Sequence, residues 1–156
     1  MTHNTPLQEG LIELMKTRGP FDLFLTFNVR NRPVRMSIDE MRTAFIEWAA
    51  RVDRKLVGRS WHRNQNRTYA IGVFENRDRN LHLHVLYRFP TSVRLDAHDR
   101  AVLMIGTWAK LVQGGDLYIQ PVTGLDGLAD YLGKQQYQKV LYDQFVLLGG
   151  AMPVST

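Results

Sequence analysis

TYAIGVFENRDRNLHLHVLYRF, residues 68–89, carries more of the fold than any other stretch of this chain. Residues 68–75 and 81–89 are rich in β-branched and aromatic side chains, and the turn-forming NRDRN lies between them, so the segment reads as two strands of a hairpin. Side chains two apart on a strand point to one face, so His82 and His84 project together, about 7 Å apart at their Cα atoms. If residues 75 and 82 flank the loop, Glu75 arrives beside His82 on the neighbouring strand.

Outward from the hairpin the chain alternates strands and helices. Residues 6–18 carry Leu7, Leu11, Leu14 and Met15 at helical spacing and end at Gly19-Pro20. Residues 21–29 (FDLFLTFNV) place apolar side chains at every odd position, which is a strand. Ser37 and Glu40 form a capping box for a helix whose apolar face runs Ile38, Met41, Phe45, Trp48, Val52 and Leu56. Beyond the hairpin, Asp96 caps a second amphipathic helix with an expected apolar face of Val102, Ile105, Ala109 and Val112, stopped by Gly114-Gly115. LYIQPV at 117–122 is a short strand that Pro121 pushes toward a sheet edge. Thr123 to Asp126 caps a last helix through Leu128, Tyr131 and Leu132, and VLYDQFVLL at 140–148 reads as a further short helix. Setting the first helix aside, the order β-α-β-β-α-β-α predicts an α+β domain. Its form is a split β-α-β, ferredoxin- or RRM-like, with an antiparallel sheet of four to five strands and helices on one face.

Composition narrows the chemistry. The 156 residues contain no cysteine, which removes disulfides, thiolate metal sites and cysteine nucleophiles. No apolar run is long enough to span a membrane, and the first ten residues lack the layout of a secretory signal. Net charge is +5, and the segment from Arg30 to Arg67 alone holds ten basic and four acidic residues. Arg30, Arg32 and Arg35 follow the first strand, while Arg59, Trp61, Arg63 and Arg67 precede the second. Arginine forks suit phosphates and an interleaved indole suits an unpaired base, so these seven residues are candidate DNA contacts. Trp48, Trp108 and Phe45 lie on apolar helical faces and belong to the core.

Two neutral imidazoles and a carboxylate form a mixed nitrogen and oxygen donor set for a divalent metal, Mg²⁺ or Mn²⁺, with zinc also chemically possible. The candidate nucleophile is Tyr131 in YLGK, with Lys134 three residues on and nearly on the same helical face. A phenol with a pKa near ~10 needs a neighbouring cation to act as a phenolate at neutral pH. Tyr137 points about 120° away on that helix. GLADYLGKQ is not a phosphate loop: the Gly-to-Gly-Lys spacing is wrong, and no Ser or Thr follows the lysine.

These motifs together resemble the HUH superfamily of single-strand DNA nucleases, most closely the rolling-circle replication initiators. FLTFN at 24–28 is similar to the family's first motif, HLHVL at 82–86 to its His-hydrophobic-His motif, and YLGK at 131–134 to the YxxK motif of its catalytic helix. Asn28 stands where a proline is frequent. The motif order agrees over roughly residues 21–140, within one domain spanning 1–156 and without a helicase domain. The resemblance implies Glu75, His82 and His84 as metal ligands, Tyr131 as nucleophile and Lys134 as charge stabiliser. The implied product is a 5′-phosphotyrosine bond, and the implied partners are single-stranded DNA (an origin hairpin or nick site) and a separate helicase. The implied compartment is the cytoplasm of a prokaryote or the nucleus of a host cell infected by a eukaryotic virus. Two alternatives stand beside it: a small HUH single-strand DNA transposase, and a non-catalytic RRM-like nucleic-acid-binding module with structural histidines.

Overall fold

The computed structural model describes residues 6–29, 36–59, 68–77, 80–90, 93, 95–122 and 140–149. They form α1 (Pro6–Arg18), β1 (Leu23–Asn28), α2 (Ile38–Val57), β2 (Tyr69–Arg77), β3 (Asn80–Arg88), α3 (Ala97–Leu111), β4 (Asp116–Pro121) and β5 (Val140–Leu148). The strands make one five-stranded sheet in the order β4-β1-β3-β2-β5, every neighbouring pair antiparallel. β1 and β2 therefore run the same way with β3 inserted between them, which is the split β-α-β expected from the hairpin. Pro121 ends an edge strand, where its missing N–H breaks no ladder. Among the described residues no helix is long and apolar enough to cross a membrane.

Local chemistry sets the helix starts. Ser37 Oγ accepts from Glu40 N at 3.1 Å, and Glu40 Oε1 accepts from Ser37 N at 3.2 Å, closing the capping box of α2. Asp96 Oδ1 accepts from Asp99 N at 2.8 Å and caps α3. The hairpin is tighter than NRDRN suggests, because pairing continues to Arg77↔Asn80 and leaves two positions between the strands.

α2 and α3 cover one face of the sheet. Leu25 and Phe27 of β1, Leu83, Val85 and Tyr87 of β3, and Ala70 and Phe74 of β2 meet Phe45, Trp48, Met104 and Trp108 there, all buried. Phe27 sits at the centre, with its ring 4.8 Å from those of Trp48 and Trp108 and 5.2 Å from that of Phe45, all edge-on. Both indole N–H groups find carbonyls: Trp48 donates to Met104 O at 2.9 Å and Trp108 to Asn28 O at 3.1 Å. A polar chain runs through this layer from buried Asp53 to Thr68 to Tyr87, where Thr68 donates to the carboxylate and lies 3.0 Å from the phenol oxygen. Burial, then the nearby Asp53 charge, push the Tyr87 phenol far above its ordinary range. Gly72 is on the same face, and a Cβ there would stand 2.8 Å from Val146 Cγ1, so β5 packs where a side chain is missing.

Three expectations need correction or addition. VLYDQFVLL is not a helix but β5, which pairs with the outer edge of β2. Its aromatic and branched residues suit a strand, and an open sheet edge supplies backbone partners that a short isolated helix would lack. The ladder shifts between Val73↔Phe145 and Phe74↔Leu141, so the pairing of β5 with β2 is interrupted over residues 142–144. On α3 the buried stripe is Met104, Trp108 and Val112, while Val102 and Ile105 are 58% and 44% exposed and Ala109 is exposed too. Apolar residues lie nearly all round this helix, so periodicity alone did not choose, and the bulkiest side chains took the core. Finally, α1 lies on the face opposite α2 and α3. Met15 and Leu14 pack with Phe21, Phe24, Tyr69, Ile71 and Leu86, and Arg88 Nη1 donates to Arg18 O at 2.6 Å.

Candidate functional site

The second sheet face changes character along its length. On β1 it presents Phe24, Thr26 and Asn28, on β3 Leu86, His84 and His82, and on β2 Ile71, Val73 and Glu75, in matching register. The apolar start of each series lies under α1, and the polar end of each series falls at the same edge of the sheet. Antiparallel pairing of a split β-α-β forces this juxtaposition, since the C-terminal ends of β1 and β2 flank the N-terminal end of β3.

Glu75 is directly opposite His82, as expected from the hairpin, and Asn28 faces His82 from the other side. The Glu75 carboxylate also reaches diagonally: its Oε2 lies 2.9 Å from His84 Nε2. The other imidazole nitrogen of His84, Nδ1, is 3.2 Å from Thr26 Oγ1, and the Phe24 ring stacks on His84 at 5.7 Å and 11°. His84 is thus held at both nitrogens and on one ring face. Glu75 is 1% exposed and His84 8%, so the pair is withdrawn from bulk water. His82 is half-buried, with its ring nearly parallel to that of His84 and 6.3 Å away.

A hydroxyl either donates or accepts, so Thr26 accommodates both tautomers of His84. With Nε2–H donated to Glu75, Thr26 donates to Nδ1; with Nδ1–H donated to Thr26, Nε2 is bare and the Glu75 carboxylate must turn away from it. Two imidazoles and a carboxylate on one face suit a divalent cation in donor type. As the side chains lie, however, Glu75 and His84 close on each other. Among the described residues no group of three or more His, Asp or Glu side chains stands close enough together to hold an ion.

Of the other sequence-derived site residues, Arg59 is exposed just beyond α2. Tyr131, Lys134, Arg30, Arg32, Arg35, Trp61, Arg63 and Arg67 lie outside the described residues, as does the expected helix from Thr123. The described ends of those segments are informative. Arg30 follows Val29, next to the Asn28 end of β1, whereas Arg67 joins Thr68 at the end of β2 farthest from Glu75. One basic stretch in sequence therefore attaches to opposite ends of the sheet. The segment with Tyr131 and Lys134 enters β5 at Val140, which pairs with Glu75.

Sequence reasoning missed Thr26 and Phe24 as partners of His84, and Asp116, which pairs with Asn28 in the same cross-sheet row. A signal was present: Thr26 and Asn28 are polar interruptions among the core residues Leu25, Phe27 and Val29, so they face the other side. No family model, curated protein or solved structure matches the chain.

Proposed function

We propose that the chain is a metal-dependent, sequence-specific single-strand DNA endonuclease and ligase of the HUH type that initiates rolling-circle replication. The observation that carries the reading is the register of β2 and β3, which gathers Glu75, His82 and His84 on one face at one sheet end. Glu75, His82 and His84 would hold a divalent ion, Mg²⁺ or Mn²⁺, once the Glu75 carboxylate turns from His84 toward it, and the ion would supply Lewis acidity toward a phosphate oxygen. Thr26 and Phe24 fix the plane of the His84 ring.

Tyr131 loses its proton to solvent, helped by the Lys134 charge, and its oxygen forms a bond to phosphorus. The P–O3′ bond breaks, and the departing 3′ oxygen takes up a proton to become a free hydroxyl. The downstream fragment stays on the protein, its 5′-phosphate bonded to the tyrosine oxygen. No water is consumed, so the reverse attack by a 3′-hydroxyl reseals the strand. The basic segments hold the strand, a separate helicase opens the duplex, and the work is done in a prokaryotic cytoplasm or a virus-infected nucleus.

The test is nicking of 5′- and 3′-labelled single-stranded DNA in Mn²⁺. A covalent protein–DNA adduct is expected, with loss of at least ~10³-fold in Tyr131→Phe and His82→Ala. An adduct that persists in Tyr131→Phe overturns the mechanism. The two-sided bonding of His84 also suits a structural histidine in a nucleic-acid-binding module. If wild type binds single-stranded DNA, takes up no metal and is unaffected by His82→Ala, that second reading replaces the first.

A further inference from the structure

A cavity of about 190 Å³ lies between α3 and the β1–β4 side of the sheet, on the helix-covered face and at the strand ends away from His82. Its walls are Leu23, Ile119, Met104, Phe89 and two alanines of α3, and its polar groups are Arg100 and Asp22. The Arg100 guanidinium carbon sits 4.7 Å from the centre of the Phe89 ring. Arg100 Nε is buried and has no hydrogen-bond partner among the described residues. Such a donor costs about 1–3 kcal/mol unless an acceptor reaches it. One Asp22 oxygen accepts from Phe89 N at 2.7 Å, which leaves acceptor sites on the carboxylate.

We propose that this cavity binds a single nucleobase. Its volume is below the roughly 300–1,000 Å³ of sites for drug-sized ligands and suits one heterocycle. Its apolar walls ask for a flat, uncharged body. A phosphate would meet the Asp22 carboxylate and a bare cation would meet Arg100, whereas a ring edge with both a donor and an acceptor answers both groups at once. Nucleobases carry such edges, and bases stack on arginine planes as they do on aromatic rings. The base comes either from a free nucleotide or from a strand. In the second case the strand must also pass round the sheet edge, because the cavity and the histidines lie on opposite faces; along β1 alone, at ~3.4 Å per residue, they are roughly 17 Å apart. Base binding rests on the cavity alone, and only its link to a strand rests on the nuclease reading.

The experiment is a ¹H–¹⁵N titration of the whole chain with the four uncharged nucleosides in EDTA, followed by a single-stranded oligonucleotide. Saturable shifts at Leu23, Ala97, Ala101 and Ile119 are expected, weakened at least fivefold in Arg100→Met and Asp22→Asn. Ala101→Leu, which fills the space without touching either polar group, is expected to abolish them and serves if Arg100→Met fails to fold. Displacement of nucleoside by the oligonucleotide assigns the base to a strand, and retention of nucleoside assigns it to a free nucleotide. Tyr131→Phe leaves all of this unchanged, so failure of the nuclease reading is seen separately. The proposal is overturned if no nucleoside gives saturable shifts, if Arg100→Met and Ala101→Leu fold and bind as wild type does, or if inorganic phosphate shifts the same amides.

Discussion

β1 serves two surfaces with one short sequence. Leu23, Leu25 and Phe27 enter the layer under α2 and α3, while Phe24, Thr26 and Asn28 look the other way and grow more polar toward the strand's end. The first surface is mostly apolar, broken by the bonded Asp53–Thr68–Tyr87 chain, and is roofed by both helices. The second is apolar only where α1 covers it, and beyond that cover His82, His84, Glu75 and Thr26 take over. The sheet is thus stabilised mainly from one side, which frees the far end of the other side to hold buried polar groups that contribute little to stability. Buried polar groups are tolerable when bonded, and His84 is bonded at both nitrogens.

The largest test of this contrast is Phe27→Ala, expected to lower the unfolding free energy by about 3–5 kcal/mol in urea denaturation. A cost near that of a surface change would mean the α2–α3 layer is not the principal core. Met15→Ala, on the α1 side, is expected to cost about 2 kcal/mol by the same measurement, at the low end for buried methionine because α1 covers only part of its face. Thr26→Val swaps a hydroxyl for a methyl of similar shape but takes a partner from His84 Nδ1, and is expected to cost about 1–2 kcal/mol. In isothermal titration it should nonetheless weaken Mn²⁺ binding about tenfold, with Thr26→Ser restoring it, as for an outer partner of a ligating histidine. Equal metal affinity in Thr26→Val would detach this threonine from the site. Ile105→Ser should move stability by less than about 0.5 kcal/mol, because the side chain faces solvent. A loss of 2 kcal/mol there would restore the apolar face expected from periodicity.

Much of the fold was legible because local and periodic signals agreed. Ser37 with Glu40, Asp96 and the alternation of residues 21–29 each name an element by short-range chemistry, and the structure keeps all three. The C-terminal segment was not legible, since VLYDQFVLL becomes a strand only when the open edge of β2 is there to pair with it. The buried side of α3 was hidden for a related reason: Val102 and Ile105 are as apolar as a core face requires, and only the positions of Phe27 and Trp48 select Met104 and Trp108 instead. Within the candidate site, HxH and the hairpin spacing placed Glu75 opposite His82 by counting alone.

The sequence by itself determined which side chains share a face, because that follows from the two-residue period of a strand and the shortness of one turn. It also determined that no thiolate can take part in a metal site, because there is no cysteine. Tertiary structure decided that Glu75 reaches diagonally to His84, and that Thr26 and Phe24 from β1 hold the same ring. It also decided that Val29 and Thr68, which flank the arginine-rich stretch, lie at opposite strand ends of the sheet. Those outcomes depend on which strand lies beside which, and a sheet order with β3 between β1 and β2 is a property of the whole chain's packing, not of any one segment.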